Sequence, residues 1–231
     1  PTCILESLGA QNSNECDGVF ELWDTLYYAP EITELDLSNQ ELEGEIPISI
    51  GYFSNLINLN LSHNNLTGTI PSEIGLLENL KFLNLSYNQL NGSLPYELEQ
   101  LDSLMELRLY SNQLSGSIPA EYGNMHSLEY LNIFNNELTG SIPPSLGELY
   151  NLQSLFLHNN QISGSFPVEI YSLINLKDLY ISNNNLSGTI HNDIQNLQSL
   201  ERLKIQNNQF SHTLPIEICL LNLDWSNPAS F

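Results

Sequence analysis

Five side chains in this sequence carry a permanent positive charge, Lys81, Arg108, Lys177, Arg202 and Lys204, against 27 acids. They are not scattered. Against a 24-residue period that runs through most of the chain, all five fall at a small set of offsets, which also holds Phe82, Tyr87, Tyr110, Tyr130, Phe134, Phe156, His158 and Tyr180. Rings and cations gathered in this way do the chemistry of noncovalent recognition, because rings supply large desolvated contacts and Lys or Arg pair with carboxylates. Bond-making chemistry has no comparable signal: there is no Gly-x-Ser-x-Gly, His-Glu-x-x-His, Cys-x-x-Cys or phosphate-binding glycine loop. His63, His126, His158, His191 and His212 sit in different copies at different offsets, whereas a metal needs ligands that converge. The chain is read as non-enzymatic, with no cofactor and no metal.

What must position these residues is the period itself. Its anchors are Ile32, Leu56, Leu80, Leu104, Leu128, Leu152, Leu176 and Leu200, and the second copy shows it whole as Leu56, Leu59, Leu61, Asn64, Leu66, Gly68, Ile70 and Pro71. A unit this short buries its apolar side only by stacking on neighbours, so the expected fold is an α/β solenoid. In each Leu-x-x-Leu-x-Leu run the leucines alternate with variable residues, as in a strand with one face buried. Stacking turns those runs into one parallel sheet. The landmark asparagines at positions 64, 88, 112, 136, 160, 184 and 208 end the strands, where an amide can satisfy backbone groups left unpaired by the bend. Prolines at 47, 71, 95, 119, 143, 167 and 215 are each expected to open a short helical turn on the far side, with His191 in that place in the seventh copy.

Residues 1–31 precede the repeat and read as a cap with short helical stretches over 4–8 and 20–28, residues 32–223 hold eight copies, and residues 224–231 form a C-terminal end or truncated cap. Cys3 and Cys16 lie in the first of these segments, so a bridge between them is inferred as a staple over the exposed first coil. Cys219 then has no partner in this sequence. It is expected either as a buried free thiol or as a thiol paired with chain beyond Phe231.

The motif Leu-Ser/Thr-Gly-x-Ile-Pro at 66–71, 114–119 and 138–143 resembles the plant-type subclass of leucine-rich repeats. The resemblance implies a right-handed superhelix with a concave parallel β-sheet and short helical turns on its convex side. It also implies similarity to receptor-kinase ectodomains and polygalacturonase-inhibiting proteins, which bind peptides, small hormones or secreted enzymes on the concave face. A secreted or cell-surface location follows from the same likeness.

On that face each copy contributes five variable positions, and chance would place all five cations there roughly 2 times in 10,000. Six acids share the face, leaving it near neutral while 21 others lie elsewhere. Neighbouring coils set equivalent residues ~4.8 Å apart, so Tyr110, Phe134 and His158 should form one column and Phe156 and Tyr180 another. The expected ligand is a peptide or protein, with apolar groups on the rings and a carboxylate near Lys177, Arg202 and Lys204. A net charge of −22 disfavours nucleic acid, and no apolar run approaches the ~18 residues of a membrane span. An alternative of another class is a polysaccharide or ice surface. Hydroxyls at 67 and 69, 115 and 117, 139 and 141, 163 and 165, 187 and 189, and 211 and 213 flank the turn and would stack into two ladders. Local turn chemistry also explains hydroxyls there.

Overall fold

Alternating leucines with nothing bulky between successive copies leave the chain one economical option, to coil. The computed structural model describes residues 18–211, 213–221 and 223, and coils 1 to 8 begin at the anchors from Ile32 to Leu200. Among these residues eight three-residue strands, from Glu34–Asp36 to Arg202–Lys204, form one parallel sheet in strict sequence order. The register advances by one period per coil, with Leu35 opposite Leu59, Leu59 opposite Leu83 and Leu179 opposite Leu203. Leu56, Leu59, Leu61 and Leu66 are wholly buried, as are nearly all their equivalents, making a continuous spine inside the coils. Each such leucine contributes about 1.5–3 kcal/mol of burial. The exposed acids Glu34 and Asp36 lie on the first strand of the sheet, where charge discourages another chain from pairing.

The landmark asparagines join one coil to the next. Asn88 Oδ1 accepts from the Leu66 backbone N–H of the preceding coil at 3.1 Å, while its Nδ2 donates to Leu61 O at 2.9 Å and to Leu85 O in its own coil at 3.1 Å. Asn64, Asn112, Asn136, Asn160, Asn184 and Asn208 repeat the pattern. The result is a side-chain ladder that pins the register of neighbouring coils.

Beyond the landmark the chain forms a second set of short parallel strands that the sequence pattern does not announce. Glu43–Glu45 pairs with Asn65–Thr67, Asn91–Ser93 with Gln113–Ser115, and Ser163–Ser165 with Asn185–Gly188, which in turn pairs with Gln209–Phe210. The convex turns are 3-10 helices of five residues such as Ser72–Leu76. Proline stands just before each turn rather than as its first residue: Pro71 has φ −69° and ψ 138°.

Close stacking of these turns explains a column of glycines. A Cβ on Gly123 would lie 2.5 Å from the Ser145 carbonyl oxygen of the next coil, so any side chain there pushes the coils apart. Glycine holds this place in coils 1, 2, 4 and 5, whereas coils 3, 7 and 8 carry Glu99, Gln195 and Cys219. Coil 6 carries Tyr171, 2 % exposed, next to a coil 7 that has His191 in the place of proline. Tyr171 and His191 answer one another. The His191 N–H, which proline would lack, donates to the Tyr171 hydroxyl at 3.2 Å, and burial pushes that phenol up to about 12.

Two expectations are corrected. The segment over 20–28 is not helical but a β-hairpin, Val19–Leu22 against Thr25–Tyr28, turning on Trp23 and Asp24 with φ of 44° and 61°. Strand-favouring Val, Phe, Thr and Tyr residues and the chance to bury Leu22 outweigh helix propensity, while Phe20 stacks on Tyr52 and Tyr27 meets Phe53 edge-on. Cys219 is not buried but exposed, because among the described residues no ninth coil covers the final turn. The stretch over 4–8 and the inferred Cys3 to Cys16 bridge lie outside the described residues.

Replacing Asn88 by alanine should orphan the buried Leu66 N–H, while Leu61 O and Leu85 O each lose one of two side-chain donors and keep Asn64 and Asn112 respectively. The change should lower stability by about 1–3 kcal/mol in urea unfolding. The exposed Gln40, in the equivalent place of coil 1, should tolerate alanine with a loss below about 1 kcal/mol.

Candidate functional site

Period-two geometry sends the side chains between the spine leucines outward on the concave face, and the coil spacing then decides which of them touch. The structure brings most of the predicted aromatics into one continuous stripe. Tyr110 stacks on Phe134 with centroids 4.6 Å apart and planes at 10°, and Phe134 stacks on His158 at 4.3 Å and 12°. From His158 the contacts step sideways to Phe156 at 6.3 Å, then to Tyr180, 4.8 Å from Phe156. Lys204 Nζ closes that end, 4.6 Å over the Tyr180 ring. At the other end Tyr87 meets Tyr110 edge-on at 5.2 Å and carries His63 stacked on it at 4.2 Å.

The sequence reading placed His63 only among five scattered histidines and not among the ligand-binding residues. Its signal was available, because it follows its anchor Leu56 by the same seven positions that separate Tyr87 from Leu80. The stripe is oblique. It runs from the residue just before the landmark in coils 2 and 3, to the residue before that in coils 4 to 6, and into the strand proper in coils 6 to 8.

Phe82 and Tyr130 lie outside the stripe. Phe82 lines a shallow polar depression of about 200 Å³ with Asn58, Asn60, Asn84, Glu106 and Arg108. Tyr130 is half-buried in the strand Tyr130–Asn132, beside Glu106 and Ser154. The cations are also partly engaged. Arg108 pairs with Glu106 at 2.5 Å, and Lys177 donates to Gln153 Oε1 at 3.2 Å.

Arg202 is the most strongly held. Asp178, 4 % exposed, accepts from Arg202 Nη2 at 2.7 Å and from the Ser154 hydroxyl at 3.0 Å through Oδ2. Its Oδ1 lies against Arg202 Nε, close but off the hydrogen-bonding direction, so that contact is held by charge. The pairing follows from register, since Ser154, Asp178 and Arg202 are direct cross-strand neighbours. The hydrogen bond to Asp178 raises the guanidinium further above its usual range. Half of the Arg202 side chain remains exposed, so its remaining donors face the concave groove in a fixed orientation.

The residue before each landmark has a left-handed backbone, with φ from 54° to 58° in every coil. Asparagine tolerates that conformation and occupies it at 39, 135, 159, 183 and 207. In the later coils these amides form a rail beside the stripe: Asn183 donates to Asn159 at 2.7 Å and Asn207 to Asn183 at 2.6 Å. On the flank, the first hydroxyl ladder is consumed internally. Ser115, Thr139, Ser163, Ser187 and Ser211 each donate to a glycine carbonyl one coil back. The second ladder, including Thr69, Ser93, Ser117, Ser141, Ser165 and Thr189, is exposed.

Among the described residues no cluster of three or more His, Cys, Asp or Glu side chains is arranged to hold a metal, and no helix is long and apolar enough to cross a membrane.

His158 sits half-buried at the centre of the stripe, and its Nδ1 has no hydrogen-bond partner among the described residues. Burial pushes the imidazole down to about 4, and the nearby Lys204 charge adds to the shift. A folded-state value below the unfolded ~6.5 means that the unfolded chain binds the proton first as pH falls. The stabilisation is therefore complete above pH ~6.5 and is lost progressively towards pH 4. Phenylalanine at 158 would keep the stacking and remove the titration. Thermal melts at pH 7 and pH 4.5 should show His158→Phe gaining on the wild type at the lower pH.

Comparison with known proteins places these features in context. The leucine rich repeat family model matches residues 30–90 and 150–210, a two-copy model of the same repeats matches 126–168, and a single-repeat model matches 103–125. Among solved structures the chain is similar to the plant peptide hormone receptor RGFR1 in complex with RGF2, with 40% identity and a TM-score of 0.78 over 80% of this chain and 30% of that one. It is also similar to the ectodomain of the membrane receptor kinase GASSHO1/SCHENGEN3 from Arabidopsis thaliana in complex with CASPARIAN STRIP INTEGRITY FACTOR 2, at 39% identity and TM-score 0.82, over 85% and 24%. A plant ice-binding protein matches at 26% identity and TM-score 0.60, over 80% of this chain and 67% of that one. The chain thus spans 24% to 30% of the length of the two receptor chains. A comparison with curated proteins returns no match.

Proposed function

The chain belongs to the leucine-rich repeat family and resembles its plant-type members, and from that premise we propose that it is an extracellular recognition module binding a peptide or protein segment on its concave face. The reading is carried by the oblique stripe from His63 to Tyr180, which ends against Lys204, with Arg202 and Lys177 beside it. Where rings stack face to face along the solenoid axis, as Tyr110, Phe134 and His158 do, their faces are spent on one another and their edges turn outward. Ring edges carry the positive part of the quadrupole, which suits carbonyl oxygens, whereas a sugar stacks on ring faces. A polypeptide has a carbonyl at every residue. Its carboxylate would sit at Arg202, Lys177 and Lys204, where the buried Asp178 fixes the guanidinium. One structure similar to this chain is a plant peptide hormone receptor in complex with RGF2, which supports the same class of ligand.

A second reading rests on the flank. The exposed outer hydroxyl ladder repeats at ~4.8 Å, and a plant ice-binding protein is among the similar structures. Thermal-hysteresis measurement together with cell-wall polysaccharide pull-down decides it: activity abolished by tyrosine at Ser117 and Ser141 establishes the flank, and no activity removes it.

The concave reading predicts a localised defect. Alanine at Phe134 and Phe156 should each weaken a pulled-down peptide or protein partner at least tenfold, measured by calorimetry, while alanine at the exposed convex Glu121 and Glu169 should change affinity less than twofold. Equal effects on the two faces would refute it.

A further inference from the structure

We propose that His63 and Tyr87 form the subsite for the amino-terminal part of an extended peptide of about ten residues, an inference that rests on the peptide-binding reading above. The first observation is conformational. Both residues occupy the left-handed position before the landmark, at φ 58° and 54°, where five of the other six coils hold asparagine. Bulky side chains are disfavoured in that region and asparagine is not. Nothing in the fold calls for rings there: the His63 and Tyr87 side chains are exposed, and the coils that carry asparagine instead stack in the same register.

The second observation is continuity. Tyr87 touches both His63 and Tyr110, so the two rings extend the stripe by two coils towards the first strand. They do so by crossing onto the line that the amide rail follows in later coils, which gives the stripe its slant. A ligand following the rings therefore crosses the rail position at coils 2 and 3 and the strand position at coils 6 to 8.

The third observation is charge. Past His63 lie the exposed carboxylates Glu34 and Asp36 of coil 1, and Asp36 is held below the usual carboxylate range by its hydrogen bonds to Ser38. At the opposite end stand Lys177, Arg202 and Lys204. Acid at one end and base at the other match the two termini of a peptide lying along the stripe. From Asp36 to Lys204 is seven coil steps, or ~34 Å, which an extended chain covers in about ten residues.

The test uses the whole chain and a phage-displayed library of random decapeptides. The tightest peptide selected on the wild type is synthesised and its affinity measured on the wild type and on the double variant His63→Asn, Tyr87→Asn. We expect binding to weaken about tenfold or more while the melting temperature stays equal or rises, since asparagine relieves the left-handed backbone. Trimming the first three residues of the peptide should remove the difference between wild type and variant. A variant that binds as well as the wild type overturns the inference and leaves the peptide reading standing, as does a sensitivity that survives the trimming. A fall in melting temperature beyond a few degrees shows the two rings to be structural and also overturns it. If no peptide is enriched on the wild type, the peptide reading itself falls, and this inference with it.

Discussion

The hydrogen bonds that each landmark asparagine makes into the coil before it set the terms for everything else. Leucine burial drives the chain to coil but is indifferent to register, because one aliphatic spine fits against another in several ways. An amide with one fixed acceptor and two fixed donors is not indifferent. With Leu66 N and Leu61 O both claimed by Asn88, coil 3 can sit on coil 2 in only one position, and the same restriction repeats along the solenoid. These bonds are buried, and a slip would leave several polar groups without partners at once.

Fixed register turns a one-dimensional pattern into a two-dimensional surface. Residues 24 apart become neighbours, so Ser154, Asp178 and Arg202, remote in the chain, act as one hydrogen-bonded group. The ring stripe arises in the same way. Its slant comes from small residues as much as from large ones: Ser62, Ser86 and Ser182 are buried where Tyr110, Phe134 and His158 stand in the middle coils. With most acids kept off this face, its few cations and rings dominate the local field despite the strongly negative chain.

Much of this was legible beforehand, because a repeated unit multiplies weak signals. The spine leucines, the asparagine ladder, the concave sheet and the Tyr110, Phe134 and His158 column all follow from period and offset. What escaped was whatever depends on backbone conformation rather than on pattern. The hairpin over 19–28 occurs once, so no repetition supports it, and its aromatics fit a helix or a strand equally well. The second set of strands was hidden because Gly and Ser read first as turn residues. His63 was missed because a single histidine at a polar offset looks like any exposed residue until its ring is seen against Tyr87. The partial neutralisation of Arg202 by Asp178 was hidden too, since charge counting treats every cation on a face as free.

The Tyr171 and His191 pair bears on how such a chain can be inherited. Coils 1, 2, 4 and 5 are interchangeable parts in this respect, each carrying its own glycine and its own proline, so duplication or deletion of one asks nothing of a particular neighbour. The junction between coils 6 and 7 is different, because the departure on one side is satisfied only by the departure on the other. A recombination event that moved coil 7 alone would strand the His191 N–H and leave the Tyr171 hydroxyl without that donor. At that point the unit of exchange is two repeats, and lineages that shuffle their coils should keep these two together.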